Sequence, residues 1–219
     1  MDFLSHLNEL IFPSRCISCG VMGISLCSQC RRGWNLHRYI TNVQHENRRV
    51  LKVVSSVAYS QIAQKILLAA KESHIKEADF LLGEAIEHSI KYILRNEIID
   101  CLIPIPSRAS ATRTRGRQFV ESIIEIPSQN LSIPIAPILA HQRKVRDQTG
   151  LSHDQRWNNL QGAFVVSTKQ GAHGKALLID DLVTTGATLN EAAHTLRYAG
   201  IEVIGAVTAA VALTTKIHR

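Results

Sequence analysis

Aromatic residues are scarce, with five Phe, four Tyr and two Trp making up 5% of 219 residues. So low a content argues against an extended platform on which successive bases stack. No apolar run approaches the ~20 residues that cross a bilayer, so no membrane span is expected. Residues 1–13 have neither a basic n-region nor a small-residue cleavage site, and a signal peptide is not expected. Phe3, Leu4, Leu7, Leu10 and Ile11 fall instead on one helical face and predict a short helix packed on the module that follows. Without export signal or span, a cytoplasmic location is expected. Neither G-x4-G-K-[ST] nor a G-x-G-x2-G after a strand occurs, which disfavours P-loop and dinucleotide sites. Internal repeats, low-complexity stretches and a helix-turn-helix segment are also missing.

Acids are the minority charge: 18 Asp+Glu against 25 Lys+Arg leave a net +7, which fits a polyanionic partner without naming one. The distribution is uneven. Residues 107–118 hold Arg108, Arg113, Arg115 and Arg117 with no acid, and residues 141–146 hold Arg143, Lys144 and Arg146. Each segment reads equally as a solvated basic face or as an anion contact. Gly116 marks the first as an irregular loop leading into a helix. Hydrophobic residues make up 45%, enough for one α/β domain plus a small appendage.

Four of the five cysteines, Cys16, Cys19, Cys27 and Cys30, are spaced C-x2-C-x7-C-x2-C. Each C-x2-C pair can turn both thiolates towards one point, and two such knuckles make the closed tetrahedral S4 set that structural Zn2+ prefers. Gly20 suits the tight turn after the first pair. Two disulfides are the rival reading, disfavoured by the reducing compartment expected here. A closed site leaves no position for substrate, so the metal would be structural. Segments this short bury too little surface to fold without it. Arg31, Arg32, Trp34, Arg38 and Tyr39 follow, as ordinary solvated residues or as a nucleic-acid or docking surface. Cys101, in an apolar run, reads as a buried small hydrophobe. The expected division is a zinc module in residues 1–45 and an α/β domain in residues 50–219.

In that domain, hydrophobic periodicity predicts strands over 50–59, 98–105, 133–140, 162–166, 176–179 and 201–211. It predicts helices over 61–70, 76–94, 119–126 (stopped by Pro127) and 187–198 (stopped by Gly200). Residues 143–159 are polar and expected to be mobile. Strands alternating with helices imply a parallel sheet flanked by helices.

The decisive stretch is residues 176–189, ALLIDDLVTTGATL. A buried apolar strand runs into two carboxylates, Asp180 and Asp181, followed by a turn of small hydroxyl residues and a helix. Helix N-termini carry unpaired N–H groups and partial positive charge. Thr184, Thr185, Gly186, Ala187 and Thr188 can therefore cradle one phosphate. The acids would repel that phosphate, so they suit sugar hydroxyls or a Mg2+ ion. A ligand with a 5′-phosphate, a ribose diol and a metal-bound diphosphate meets all these demands. An Asp-capped helix with no ligand is the plainer alternative, but a cap needs one acid and no Thr-rich turn.

Here the sequence resembles the phosphoribosyl-diphosphate (PRPP) signature of type I phosphoribosyltransferases, and more widely the ComF-type competence family, which joins a zinc ribbon to such a domain. The matching pieces are Phe12-Pro13, the four cysteines, the helix ending in Lys71, and residues 103–107. Arg115-Gly116, residues 143–148, residues 150–164 and the signature at 177–189 complete the set. The resemblance implies that Asp180 and Asp181 contact ribose hydroxyls and that residues 184–188 hold the 5′-phosphate. Ser107 and Arg108 would sit in the diphosphate loop, and Arg143, Lys144 and Arg146 in a flexible loop that closes over it. Two positions depart from the family pattern: Arg117 stands in place of Phe after Arg-Gly, and Glu72 in place of Tyr after Lys71. The resemblance implies PRPP or a related ligand with Mg2+ and a role in DNA uptake and competence. Whether the chain turns substrate over stays open, and no acceptor pocket or glutaminase half is evident. The alternative is a non-catalytic module that binds single-stranded DNA or DNA-processing proteins on the same scaffold.

Overall fold

The computed structural model describes residues 14–44, 49–142, 160, 162–167 and 174–213. The helix expected in residues 1–13, the loop bearing Arg143, Lys144 and Arg146, and His153 and His173 lie outside the described residues.

After a short helix, α1 (Ser28–Gly33), come strands β1 (Tyr39–Val43) and β2 (Leu51–Ala58) and helices α2 (Gln61–Glu72) and α3 (Lys76–Ile93). Strand β3 (Cys101–Pro104) leads to short helices α4 (Ala109–Arg115), α5 (Phe119–Ile123) and α6 (Glu125–Leu131). Strands β4 (Leu139–His141), β5 (Phe164–Val166) and β6 (Lys175–Val183), helix α7 (Ala187–Tyr198) and strand β7 (Glu202–Val211) follow.

Five strands form one sheet in the order β1-β2-β7-β6-β3, parallel except for β1. Its central strands are apolar on both faces, as a parallel strand covered by helices must be. Along β6, Leu177 and Ile179 join the core under α2 and α3, while Ala176 and Leu178 join the core under α7. Along β2 the split is Val54 and Val57 against Leu51 and Val53. The fold is therefore the expected α/β class, a mostly parallel sheet with helices on both faces. Ligands in such sheets bind beyond the carboxyl ends of the strands. No helix among the described residues is long and apolar enough to cross a membrane.

Several local expectations need correction. Pro127 does not stop a helix. The chain breaks at Ile124 (φ −100°, ψ 0°), and Pro127 is the third residue of α6. First-turn N–H groups have no intrahelical partner, so proline costs nothing there. Residues 133–140 form no continuous strand. Ile135 makes one bridge to Leu102, and β4 pairs with β5 in a separate two-stranded sheet, because Pro134 and Pro137 lack the N–H a ladder needs. Residues 107–118 are partly helical (α4), ended by Gly116 at φ 68°. Strand β1 lies where flanking residues of the zinc module were expected. Strand β6 continues through both acids to Val183, where the apolar run alone marked its end at Ile179.

Candidate functional site

The turn between β6 and α7 is held from two sides. Gly186 is the residue before the helix and takes φ 76°, ψ 3°, a left-handed conformation that favours glycine. A Cβ there would lie 2.4 Å from Cγ2 of Val43, the buried last residue of β1. Glycine is thus required for packing against β1 as well as for its own conformation. The Ala187 N–H donates to Thr185 Oγ1 at 3.3 Å, and the Asn190 N–H to the Gly186 carbonyl at 2.9 Å. Thr184 is exposed, Thr185 and Thr188 are half-buried, and Ala187 is buried. The positive end of α7 therefore adjoins a turn that carries hydroxyl side chains, one of them, Thr184, exposed.

The acids sit inside the β6 ladder, with Asp180 opposite Thr208 of β7. An ion pair to α2 puts Asp181 on the α2–α3 face, and Asp180 is the less buried of the two. Asp181 is buried, and its carboxylate Oδ2 is ion-paired with Lys71 Nζ from the last turn of α2. The Asp181 N–H donates to Asp180 Oδ1 at 2.9 Å. The two acids behave oppositely. Burial, reinforced by the charge of Asp181, pushes Asp180 well above the usual carboxylate range. Burial also works against ionisation of Asp181, but the Lys71 ammonium outweighs it and holds Asp181 below its ordinary value.

The loop after β3 emerges beside these acids, because the Ile105 N–H extends the β3–β6 ladder to the Ile179 carbonyl at 2.8 Å. The Ser107 N–H donates to Gln118 Oε1 at 2.9 Å, and the Phe119 N–H to Ser107 Oγ at 3.4 Å. Ser107 and Arg108 are half-buried here. His141 Nε2 pairs with the Pro106 carbonyl at 3.1 Å, and burial, with the charge of Arg108, lowers its pKa. The structure thus brings Asp180, Asp181, the 184–188 turn, Ser107 and Arg108 to the carboxyl edge of adjacent strands.

Lys71 is the site residue that motif reasoning did not assign a role. The resemblance marked the helix that ends in Lys71, but its pairing with Asp181, 110 positions on, exists only in three dimensions. The two departures from the resembled pattern also find uses inside the fold. Glu72 accepts from Arg115 at 2.9 Å. Arg117 grips Asp79 with two bonds of 2.5 and 2.8 Å and donates to the Ala70 carbonyl at 2.8 Å. Two arginines of the acid-free segment are therefore committed to internal ion pairs.

The four thiol sulfurs of Cys16, Cys19, Cys27 and Cys30 all lie within 4.8 Å of one another, with Cys19 and Cys27 at 3.6 Å. A tetrahedral S4 zinc site with ~2.3 Å bonds separates its sulfurs by ~3.8 Å, so the donor set fits a zinc ion. All four cysteines are free thiols. Cys16 is held down to about 6: burial opposes its thiolate, but the backbone N–H groups of Cys19, Cys27 and Ser18 outweigh that. Gly20 turns at φ 78°, as the knuckle requires. The module is seated on the larger core, since Lys65 Nζ of α2 donates to the Ser18 carbonyl at 2.6 Å. Trp34 is 1% exposed and belongs to that core, which corrects its reading as a surface residue. Arg31 pairs with Glu84 at 3.2 Å, and Arg38 lies 4.7 Å from the centroid of the Tyr92 ring.

Fold and site together define a class: a parallel α/β protein with an acidic pair and a small-residue turn at a strand's carboxyl edge, joined to a four-thiol cluster. No protein-family model matches the chain. Over 108 residues it is 33% identical to Competence protein F of Haemophilus influenzae, a stretch covering 48% of this chain. The matched stretch covers 47% of that relative, so the chain spans about half its length. The likeness to a competence protein read from the motifs is thus also found by sequence comparison over those 108 residues. Among solved structures, an adenine phosphoribosyltransferase aligns over 84% of this chain and 89% of its own, at 12% identity and a TM-score of 0.44. An orotate phosphoribosyltransferase from Aeropyrum pernix aligns over 82% and 77%, at 16% identity and 0.40. At those scores no property of this chain is taken from them.

Proposed function

We propose that this chain binds PRPP or a related ribose 5-phosphate ligand with Mg2+ at the carboxyl edge of β6, in the service of DNA uptake during natural competence. The observation that carries the reading is the acidic pair set directly before the left-handed turn at the α7 N-terminus. Residues 184–188 take the 5′-phosphate, and the acids take ribose hydroxyls. Among the described residues the cysteines are the one cluster of three or more possible metal ligands. Mg2+ is accordingly assigned to the ligand's diphosphate, whose oxygens suit it. Ser107 and Arg108 face that diphosphate, and Arg143, Lys144 and Arg146 join them by the resemblance alone. If the chain is a transferase, a nitrogen nucleophile displaces diphosphate from C1 of the ribose. Positive charge grows on the sugar and negative charge on the leaving group, which the cations stabilise. The zinc-bearing unit within residues 1–45 is structural, seated on the domain of residues 50–219.

A second reading, binding of single-stranded DNA or a DNA-processing protein, is favoured by one observation. Arg38 and Lys52 both lie over the Tyr92 ring, at 4.7 and 5.4 Å, beside a recess that Lys91 and Arg95 also line. The test of the first reading is calorimetric titration of the zinc-loaded protein with PRPP, with and without Mg2+. Saturable, Mg2+-dependent binding is expected, and no heat at about 1 mM ligand would overturn it.

A further inference from the structure

The proposed ligand site contains a cation that neither its motif nor its reaction calls on. Lys71 leaves the last turn of α2, its ammonium meets Asp181 Oδ2, and it lies 5.3 Å from the centroid of the buried Phe119 ring. Its side chain is 27% exposed and that of Asp181 11%, so the pair is largely desolvated and its attraction only weakly screened. Phe119 is itself fixed, with Arg117 on the same ring at 5.3 Å and that arginine clamped to Asp79 and the Ala70 carbonyl. The ammonium therefore has a set position between a ring, a helix end and an acid.

The groups around the acids are few. α2 supplies Lys71, and α5 supplies Phe119 with Arg117 on it. β7 supplies Thr208 opposite Asp180, already bonded to Ser55 Oγ at 2.6 Å. The chain beyond β3 meets β6 at apolar Ile105. The electrostatic surroundings of the acids are thus each other and Lys71.

We propose that Lys71 is a positioning residue of the ligand site: its ammonium anchors the buried Asp181 carboxylate on the α2–α3 face and leaves Asp180, the less buried of the two, as the acid that meets a ribose hydroxyl. This rests on the ligand reading above and divides the labour of two acids that the motif treats alike. The opposite pKa shifts of the two acids agree with the division, because raising the pKa of Asp180 favours its acid form, which can both donate to and accept from a hydroxyl.

The experiment is PRPP titration, with Mg2+, of the full zinc-loaded chain and its variants K71M, K71R, D181N and K71M/D181N. Each is measured at about pH 6.5 and about pH 8.5, bracketing the range in which an unanchored buried carboxylate would titrate. Lys71→Met is expected to weaken binding about tenfold or more at the lower pH, a loss equal to one pKa unit on Asp181. The loss shrinks at the higher pH, where Asp181 ionises unaided. Lys71→Arg restores most of it, and Lys71→Met costs little further in the D181N background, because the cation acts through that acid. Unchanged binding by K71M at both pH values, additive losses, or damage by K71R equal to that of K71M would each overturn the proposal. A ligand-free readout separates this failure from that of the ligand reading. Carboxyl 13C titration should show Asp181 moving up by about one unit or more in K71M. If the wild type ignores PRPP yet this shift appears, the ligand reading fails and the anchoring stands. If the shift is missing, the anchoring fails.

Discussion

Gly186 answers to two constraints, a φ of 76° and a neighbour, Val43, that leaves no room for a methyl group. Substitution Gly186→Ala should cost about 2–4 kcal/mol in urea unfolding, the sum of left-handed strain and a clash. Trimming the neighbour removes only the clash. On a Val43→Ala background, the same change should still cost about 1 kcal/mol, the backbone share alone. Asp180 predicts the opposite sign. Its raised pKa means the folded state holds a proton that the unfolded chain releases, so its stability contribution falls as pH rises from the unfolded value towards the folded one. Asp180→Asn should therefore be more stable than the wild type near neutral pH. The gain should vanish below about pH 4, where Asp is protonated in both states. Thermal melts of both proteins across that range check it. The same variant should lose ligand binding, a stability–function conflict common at binding sites.

At the scale of elements, the zinc module and α2 share a surface. Gly33 packs so close to α2 that a Cβ would sit 2.3 Å from Ile62 Cδ1, and Trp34 beside it is buried. Loss of the metal should therefore be felt beyond the four thiols. A strong chelator should release one zinc per chain, an expectation of one closed four-thiolate site, and should shift Trp34 emission to the red as the ring meets water. Trp157→Phe isolates that signal. An unshifted spectrum after complete zinc removal would show that the module holds without its metal. Elements with a strong period were legible. α7 was expected over residues 187–198 and runs Ala187–Tyr198, and α3 was expected over 76–94 and runs Lys76–Ile93. β6 was expected to end with its apolar run at Ile179 but continues to Val183. Pairing with β7 across the α7 crossover carries the strand on through the two acids, where the apolar run is interrupted.

At the scale of the whole molecule, the excess of 7 positive charges (25 against 18) and the acidic pair make separable predictions. Asp180→Asn with Asp181→Asn should abolish PRPP binding in the calorimeter. Single-stranded DNA binding, if the basic surface supports it, should survive in a filter or anisotropy assay. That binding should weaken steeply with salt, with log K falling by ~0.7 per phosphate contact against log salt. Survival of both activities in the double variant would refute the assignment of the acids. The basic segment of residues 107–118 contributes less to such a surface than its composition implies, because Arg115 and Arg117 are already paired with Glu72 and Asp79.

By itself the sequence determined the alternation of strands and helices, the four-cysteine set, and the strand–acids–turn–helix at residues 176–189. These are local, carried by periodicity, spacing and the few residue types that tolerate a left-handed turn or bind a metal. Only the tertiary structure decided how the site is completed. It set Val43 of β1 against Gly186, brought Lys71 of α2 to Asp181, and buried Trp34 in the core shared with α2 and α3. Those contacts join residues far apart along the chain, and no local pattern encodes them. Sheet order and helix packing bring them together, and burial opposed by the Lys71 charge at Asp181 then shifts the two acids in opposite directions.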